Sequence, residues 1–130
     1  MAGTLSTALN NKLLDHILKT TPYTVPTNIY IALYSVAPTA AGGGTELTGG
    51  GYARIVSDTW SASAAGATSN PGAITFAAAT GDWSAAVAFG IFDAITAGNF
   101  LAWGDLTVSK TVLNGDTAEF AIGELDISIT

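Results

Sequence analysis

Val87 to Gly104 reads VAFGIFDAITAGNFLAWG, and the fold is decided in this stretch. Val87, Phe89 and Ile91 alternate with Ala88, Gly90 and Phe92, and after Asp93 to Asn99 the run Phe100, Leu101, Ala102, Trp103 returns the other way. Ala97, Gly98 and Asn99 supply the small and left-handed-tolerant residues that a hairpin loop needs. Both faces of this hairpin are apolar, so both must be covered, which makes the chain a packed β domain.

Outward from the hairpin the period stays close to two. Leu106 and Val108 continue the alternation through Val112, and Asn114-Gly115 is a hairpin turn signal leading to Phe120 and Ile122. Leu125, Ile127 and Ile129 alternate with Glu124, Asp126 and Ser128, the pattern of one buried and one wet face. On the other side, Gly81, Asp82 and Trp83 turn the chain into the hairpin. Ala73 to Phe76 reads as a strand with Ile74 and Phe76 inward, Tyr52 to Asp58 as another, and Asn28 to Tyr34 as a buried first strand ahead of Pro38. Between them Ala40 to Gly51, AAGGGTELTGGG, has no period and reads as a long flexible loop. Its glycine triplets lack the phosphate-loop spacing and the following Lys.

At the front, Thr4 or Ser6 caps a helix over residues 4–20, stopped by Pro22 and Pro26. Leu5, Leu9, Leu13 and Ile17 recur every four residues, with Leu14 and Leu18 widening the stripe. With two lysines and no aromatic anchor, the stripe is expected to pack on the core rather than on a membrane or partner. The sum is a mainly β chain, an antiparallel, jelly-roll-like β-sandwich of about eight strands over residues 28–129 with one N-terminal amphipathic helix, forming a single domain over 1–130. No crossover helices are present to build a parallel βαβ sheet.

Composition narrows the function classes. Charged residues make up only 11% of the chain against 48% hydrophobic, so the surface is poor in charge, as in a subunit covered by its neighbours. The net charge is −6, and the four basic residues, Lys12, Lys19, Arg54 and Lys110, are too scattered to neutralise phosphates, which argues against nucleic acid. No cysteine is present, so disulfides and thiolate metal sites are excluded. The first residues lack a basic segment followed by an apolar core, and no apolar run reaches bilayer length, so neither a signal peptide nor a membrane span is expected.

The chemistry-bearing residues favour plain structural roles. His16 lies beside Asp15 on the helix, where adjacent side chains diverge, and no serine stands in a nucleophile elbow. Asp82, Asp93, Asp105 and Asp116 recur at intervals of eleven, twelve and eleven residues. Turns alternating between the two ends of a sandwich would gather Asp82 with Asp105 and Asp93 with Asp116, a pairing that calcium binding or glycoside hydrolysis would need. The closely spaced oxygen ligands of a calcium loop are missing, and Asp is a favoured turn cap, so the turn reading is preferred. Trp60, Trp83 and Trp103, with Tyr23, Tyr30, Tyr34 and Tyr52, suit a core or subunit interface better than a sugar platform. No catalytic, metal or cofactor residue is assigned, and no cofactor is expected.

Several strings carry a resemblance: TNIYIALYSVAPT, GGGYAR, SNPGAITF, DWSAAVAFGIFDA, GNFLAWGDLTVSKTV and ELDISI. Together they resemble a family of small tailed-bacteriophage virion proteins labelled tail-fibre-like, minor structural or head-decoration, from about Lys12 to Ile129, most specifically at FGIFDA and LAWG. The resemblance implies a non-enzymatic virion structural protein made in the host bacterial cytoplasm. The first expectation is a capsid decoration or cement protein that bridges the major capsid protein or other virion proteins. It would work as a homo-oligomer such as a trimer, without nucleic acid or membrane. The alternative is a tail-tip or tail-fibre-associated module that binds host surface glycans.

Overall fold

The computed structural model describes residues 1–129. In chain order its elements are β1 (Ala2–Leu5), α1 (Thr7–Leu18), β2 (Tyr30–Val36), β3 (Thr45–Glu46), β4 (Ile55–Val56), β5 (Ala67–Ser69), β6 (Ile74–Thr75), β7 (Ala86–Phe92), β8 (Phe100–Lys110), β9 (Glu119–Phe120) and β10 (Asp126–Ser128). The expected hairpin is β7 and β8, paired from Ala86 opposite Lys110 to Phe92 opposite Phe100. Asp93 closes its loop by accepting from the Asn99 backbone N–H at 2.6 Å and the Asn99 side-chain amide at 2.7 Å, with Gly98 in the left-handed region at φ +78°.

The hairpin lies inside one eight-stranded sheet of order β3-β2-β7-β8-β1-β10-β5, with β4 also pairing to β2. A two-stranded ribbon, β6 with β9, completes the β structure among the described residues. The mainly β class and its single helix are as read from sequence, but the sheet is mixed: β1 runs antiparallel to β8 and parallel to β10. The sequence reading began the helix at residue 4, so it placed Thr4 and Leu5 of this strand in the helix. Ala-Gly-Thr-Leu has no strand period of its own, and it becomes a strand only because β8 and β10 leave a slot between them.

The inner face of the sheet carries the larger core. Ile31, Leu33, Phe89, Ile91, Leu101 and Ile127 project from the strands against Phe76, Trp83, Val112, Phe120 and Leu125, all buried. Rings in this layer meet at their edges, Phe89 on Phe120 at 6.2 Å and Tyr52 on Trp83 at 5.3 Å between centroids. On the outer face Ala32, Ala88 and Gly90 form a flat floor under Tyr34, Phe92 and Phe100. A Cβ on Gly90 would lie 2.8 Å from Tyr34 Cε2, so this close approach requires glycine there.

Three further expectations change. The glycine-rich segment is not a structureless loop: Thr45–Glu46 pairs with β2, Leu47 is buried, and the Gly50 carbonyl accepts from Trp83 Nε1 at 2.8 Å. Asn114-Gly115 does form a turn, but the strand after it pairs with β6 instead of returning along β8, because Phe120 is drawn to Phe76 and Phe89. Finally, no residue of α1 is buried. The expectation that its apolar stripe packs on the core holds only at the start of the stripe, where the half-buried Leu5 and Leu9 pack against the inner core, and fails beyond it, where Leu14, Ile17 and Leu18 are exposed.

Candidate functional site

Helix α1 starts where Ser6 ends β1. The Ser6 N–H donates to Leu101 O at 2.8 Å, its Oγ donates to Phe100 O at 2.7 Å, and the same Oγ accepts from the Leu9 N–H at 3.1 Å. One buried serine thus caps the helix and fixes it to the loop end of β8. Leu9 reaches the inner core, and beyond it the stripe emerges into solvent: Leu14, Ile17 and Leu18 are 56%, 70% and 78% exposed. Lys12 lies within the helix and Lys19 caps its C-terminal end. His16 accepts from the Tyr23 N–H through Nδ1 at 3.1 Å, which ties the following segment back along the helix. A cavity of about 440 Å³ lies at the helix root, lined among others by Lys12, Asp15, Tyr23, Asp93 and Asn99.

Beside this end of the sheet is a polar knot that sequence reading missed. Arg54, buried, donates from Nε and Nη2 to the two oxygens of Glu46, both at 2.8 Å, and from Nη1 to the carbonyls of Ala94 and Ala97 at 2.9 and 2.8 Å. Its guanidinium carbon lies 3.6 Å over the Phe92 ring. Tyr52 adds its hydroxyl, donating to Glu46 Oε1 at 3.0 Å and accepting from the Leu33 N–H at 2.9 Å. Burial, with the Glu46 charge adding and Arg54 opposing, pushes the Tyr34 phenol up to about 12. Burial raises Tyr52 as well, against the Leu33 N–H that favours its ionised form. Arg54, Glu46 and the Tyr52 hydroxyl satisfy one another, so the knot fastens the β7–β8 loop to β3 and to the segment that enters β4. A lone Arg near a lone Glu in a glycine-rich segment was the available signal; only the fold brings them together.

The aspartates do not pair as the strand-and-turn count predicted. Asp82 accepts from the Asn114 N–H at 2.8 Å and so lies at the turn that Asp116 closes through Leu113, while Asp105 is exposed within β8 and Asp93 caps the hairpin loop. The count failed because β8 runs on for eleven residues and the chain after it leaves for the ribbon. Burial works to raise the Asp93 carboxyl, but hydrogen bonds from the side chain and backbone of Asn99 outweigh it and hold the group below the usual carboxylate range. Among the described residues no three His, Cys, Asp or Glu side chains cluster so as to hold a metal ion. Trp83 is core, Trp60 is half-buried with its indole donating to Ser57 O at 3.0 Å, and Trp103 keeps a buried indole N–H without an acceptor. The three do not form a platform.

The sequence from residue 4 to 128 matches the family model described as Podophage GP4 fiber I protein gp80. The chain belongs to this family. It is therefore a phage virion structural protein of the tail-fibre-like kind, in agreement with the resemblance carried by its FGIFDA and LAWG segments. No curated protein matches the sequence. No described helix is long and apolar enough to cross a membrane.

Proposed function

We propose that the protein is a non-enzymatic structural subunit of a podophage fibre that works by attachment, with other virion proteins and further copies of itself as partners. The family description supports the fibre assignment. The observation that carries attachment is helix α1, which beyond its buried cap and Leu9 holds Leu14, Ile17 and Leu18 out in solvent. Leaving Leu14, Ile17 and Leu18 in water sacrifices roughly 1.5 to 3 kcal/mol for each side chain that burial would return, so a partner surface is what the stripe is built to meet. The polar groups that chemistry would need are instead spent on caps and on the Arg54 knot.

A second reading, decoration of the head shell, draws on the same helix and on the charge-poor composition, which suits a subunit seated among many neighbours. Gold-labelled antibody against the chain on intact virions separates the two. Label confined to tail-associated fibres is expected; label spread over the shell moves the protein to the decoration reading, and unlabelled virions sink both.

A further inference from the structure

Between helix α1 and β2 the chain runs through residues 21–27, TPYTVPT, in neither helix nor strand. This strap supplies Thr21, Pro22, Tyr23 and Thr24 to the wall of the cavity at the helix root. Among the described residues, two hydrogen bonds join it to the rest of the chain, both to the last turn of α1: the Thr21 N–H donates to Asp15 O at 3.1 Å, and the Tyr23 N–H donates to His16 Nδ1 at 3.1 Å. Pro22 and Pro26 have no N–H to add a third. Packing holds the strap little better, since Tyr23 and Pro26 are half-buried and the rest is exposed. The turn that folds it back is itself strained. Thr20 stands at φ +56°, in the left-handed region where a β-branched residue is a steric outlier, and its hydroxyl bonds only to the neighbouring Lys19 O.

We infer that the strap is a proton-sensitive flap, shut while His16 is neutral and released when its ring is protonated. The bond from Tyr23 needs a lone pair on Nδ1, which only the neutral ring with its proton on Nε2 offers. The imidazolium carries N–H groups on both nitrogens, so protonation turns this acceptor into a second donor facing the Tyr23 N–H. A single backbone bond, Thr21 to Asp15, is then left to hold closed a turn that Thr20 strains open. On α1 itself, Lys12 and Lys19 stand one turn before and after His16 and disfavour the cationic ring, while Asp15 and the C-terminal end of the helix dipole favour it. The strap brings the Tyr23 phenol, which burial and the Asp93 charge on the hairpin loop push up. Carboxylates, phenols and lysines ordinarily keep their charge between about pH 5 and 8, the range in which histidine changes it. Closure favours the neutral ring, so the flap is held at the upper end of that range and lost as pH falls. Release carries Thr21 to Thr24 away and removes one wall of the cavity between α1 and the hairpin loop.

Nitrogen-15 NMR of the full chain between about pH 8 and pH 5 tests it. Protection of the Tyr23 amide against solvent exchange, referred to the intrinsic rate at each pH, should fall by about fivefold in step with titration of the His16 ring. The Asn99 amide, held by the Asp93 carboxylate, should keep its protection over the same range. His16→Asn offers Oδ1 on the γ carbon that bears Nδ1, an acceptor that does not titrate, and should keep the Tyr23 amide protected at both ends of the range. His16→Ala should leave it unprotected at both ends. Thr20→Gly relieves the strained turn and should shift release to lower pH. A Tyr23 amide in the parent chain that does not respond to pH, or a response that survives in His16→Ala, overturns the inference. The flap belongs to the single chain, so its failure leaves the attachment reading untouched.

Discussion

The β7–β8 hairpin and helix α1 are both apolar stretches, and the chain treats them in opposite ways. In the hairpin each face is covered: Phe89 and Ile91 sit in the inner core, and Ala88 and Gly90 lie beneath aromatic rings on the outer side. In α1 no residue is buried, although its stripe of leucines and isoleucine is at least as regular. Apolar periodicity tells which residues will share a face. It does not tell whether the same chain supplies the surface that covers them. Where the chain covers a stretch, that stretch holds the subunit together; where it does not, the stretch is available to a neighbour.

Breaking the covered side should cost most. Phe89→Ala empties a fully buried ring site against Phe120 and is expected to lower stability by about 3 to 5 kcal/mol, read from urea denaturation midpoints. Next is the knot that pins the hairpin loop. Arg54→Met strips Glu46 of its only cation and the Ala94 and Ala97 carbonyls of their donor. The loss should be about 1 to 3 kcal/mol, less than for a fully buried pair because the Glu46 side chain is 26% exposed. Adding Glu46→Gln should recover part of it, and a double-mutant cycle that shows no coupling would remove the knot from this account.

Ser6→Ala tests the joint between the two regions. It removes the cap on the Leu9 N–H and the bond to Phe100 O, and should cost about 1 kcal/mol while speeding amide hydrogen exchange in the first turn of α1 more than in β7. Alkaline pH probes the knot from another side. Unfolded tyrosines ionise near pH 10, whereas Tyr34 is held up to about 12 and Tyr52 is raised further. Their contribution is therefore complete below about pH 10 and is lost as pH climbs toward 12. Tyrosinate absorbance rising together with loss of near-ultraviolet circular dichroism in that window is the expected record. Ile17→Ser with Leu18→Ser should change the stability of the isolated chain by no more than about 0.5 kcal/mol, since both side chains are mostly in solvent. A large loss of monomer stability there would erase the contrast between helix and hairpin.

Much of the fold was legible because it is local. Alternation marked β2, β7, β8 and β10 along with the inward Ile74 and Phe76, and the Ala97-Gly98-Asn99 turn closed where its residues predicted. Ile29 and Ile129 show where alternation stops meaning burial: Ile29 is half-buried just ahead of β2, and Ile129 lies past the end of β10 and is exposed. What was not legible depends on partners distant in the chain. Glu46 meets Arg54 across β3 and β4, Asp82 meets Asn114 across 32 residues, and β1 meets β10 from the opposite end of the sequence. No spacing rule connects such pairs, because their proximity follows from which strand wins each place in the sheet.

By itself, the sequence determined the β class, the central hairpin, the capped helix and the family, since these follow from short-range period, turn chemistry and strings of residues. Tertiary structure alone decided that the first four-residue strand enters the sheet beside β8, that the glycine-rich segment is ordered by Leu47 and Gly50, and that the helix keeps Leu14, Ile17 and Leu18 in water. The physical reason is that burial is a competition for a limited area of sheet. Leu5 and Leu9 find a place against the core, and Leu14, Ile17 and Leu18 are left for another surface to cover.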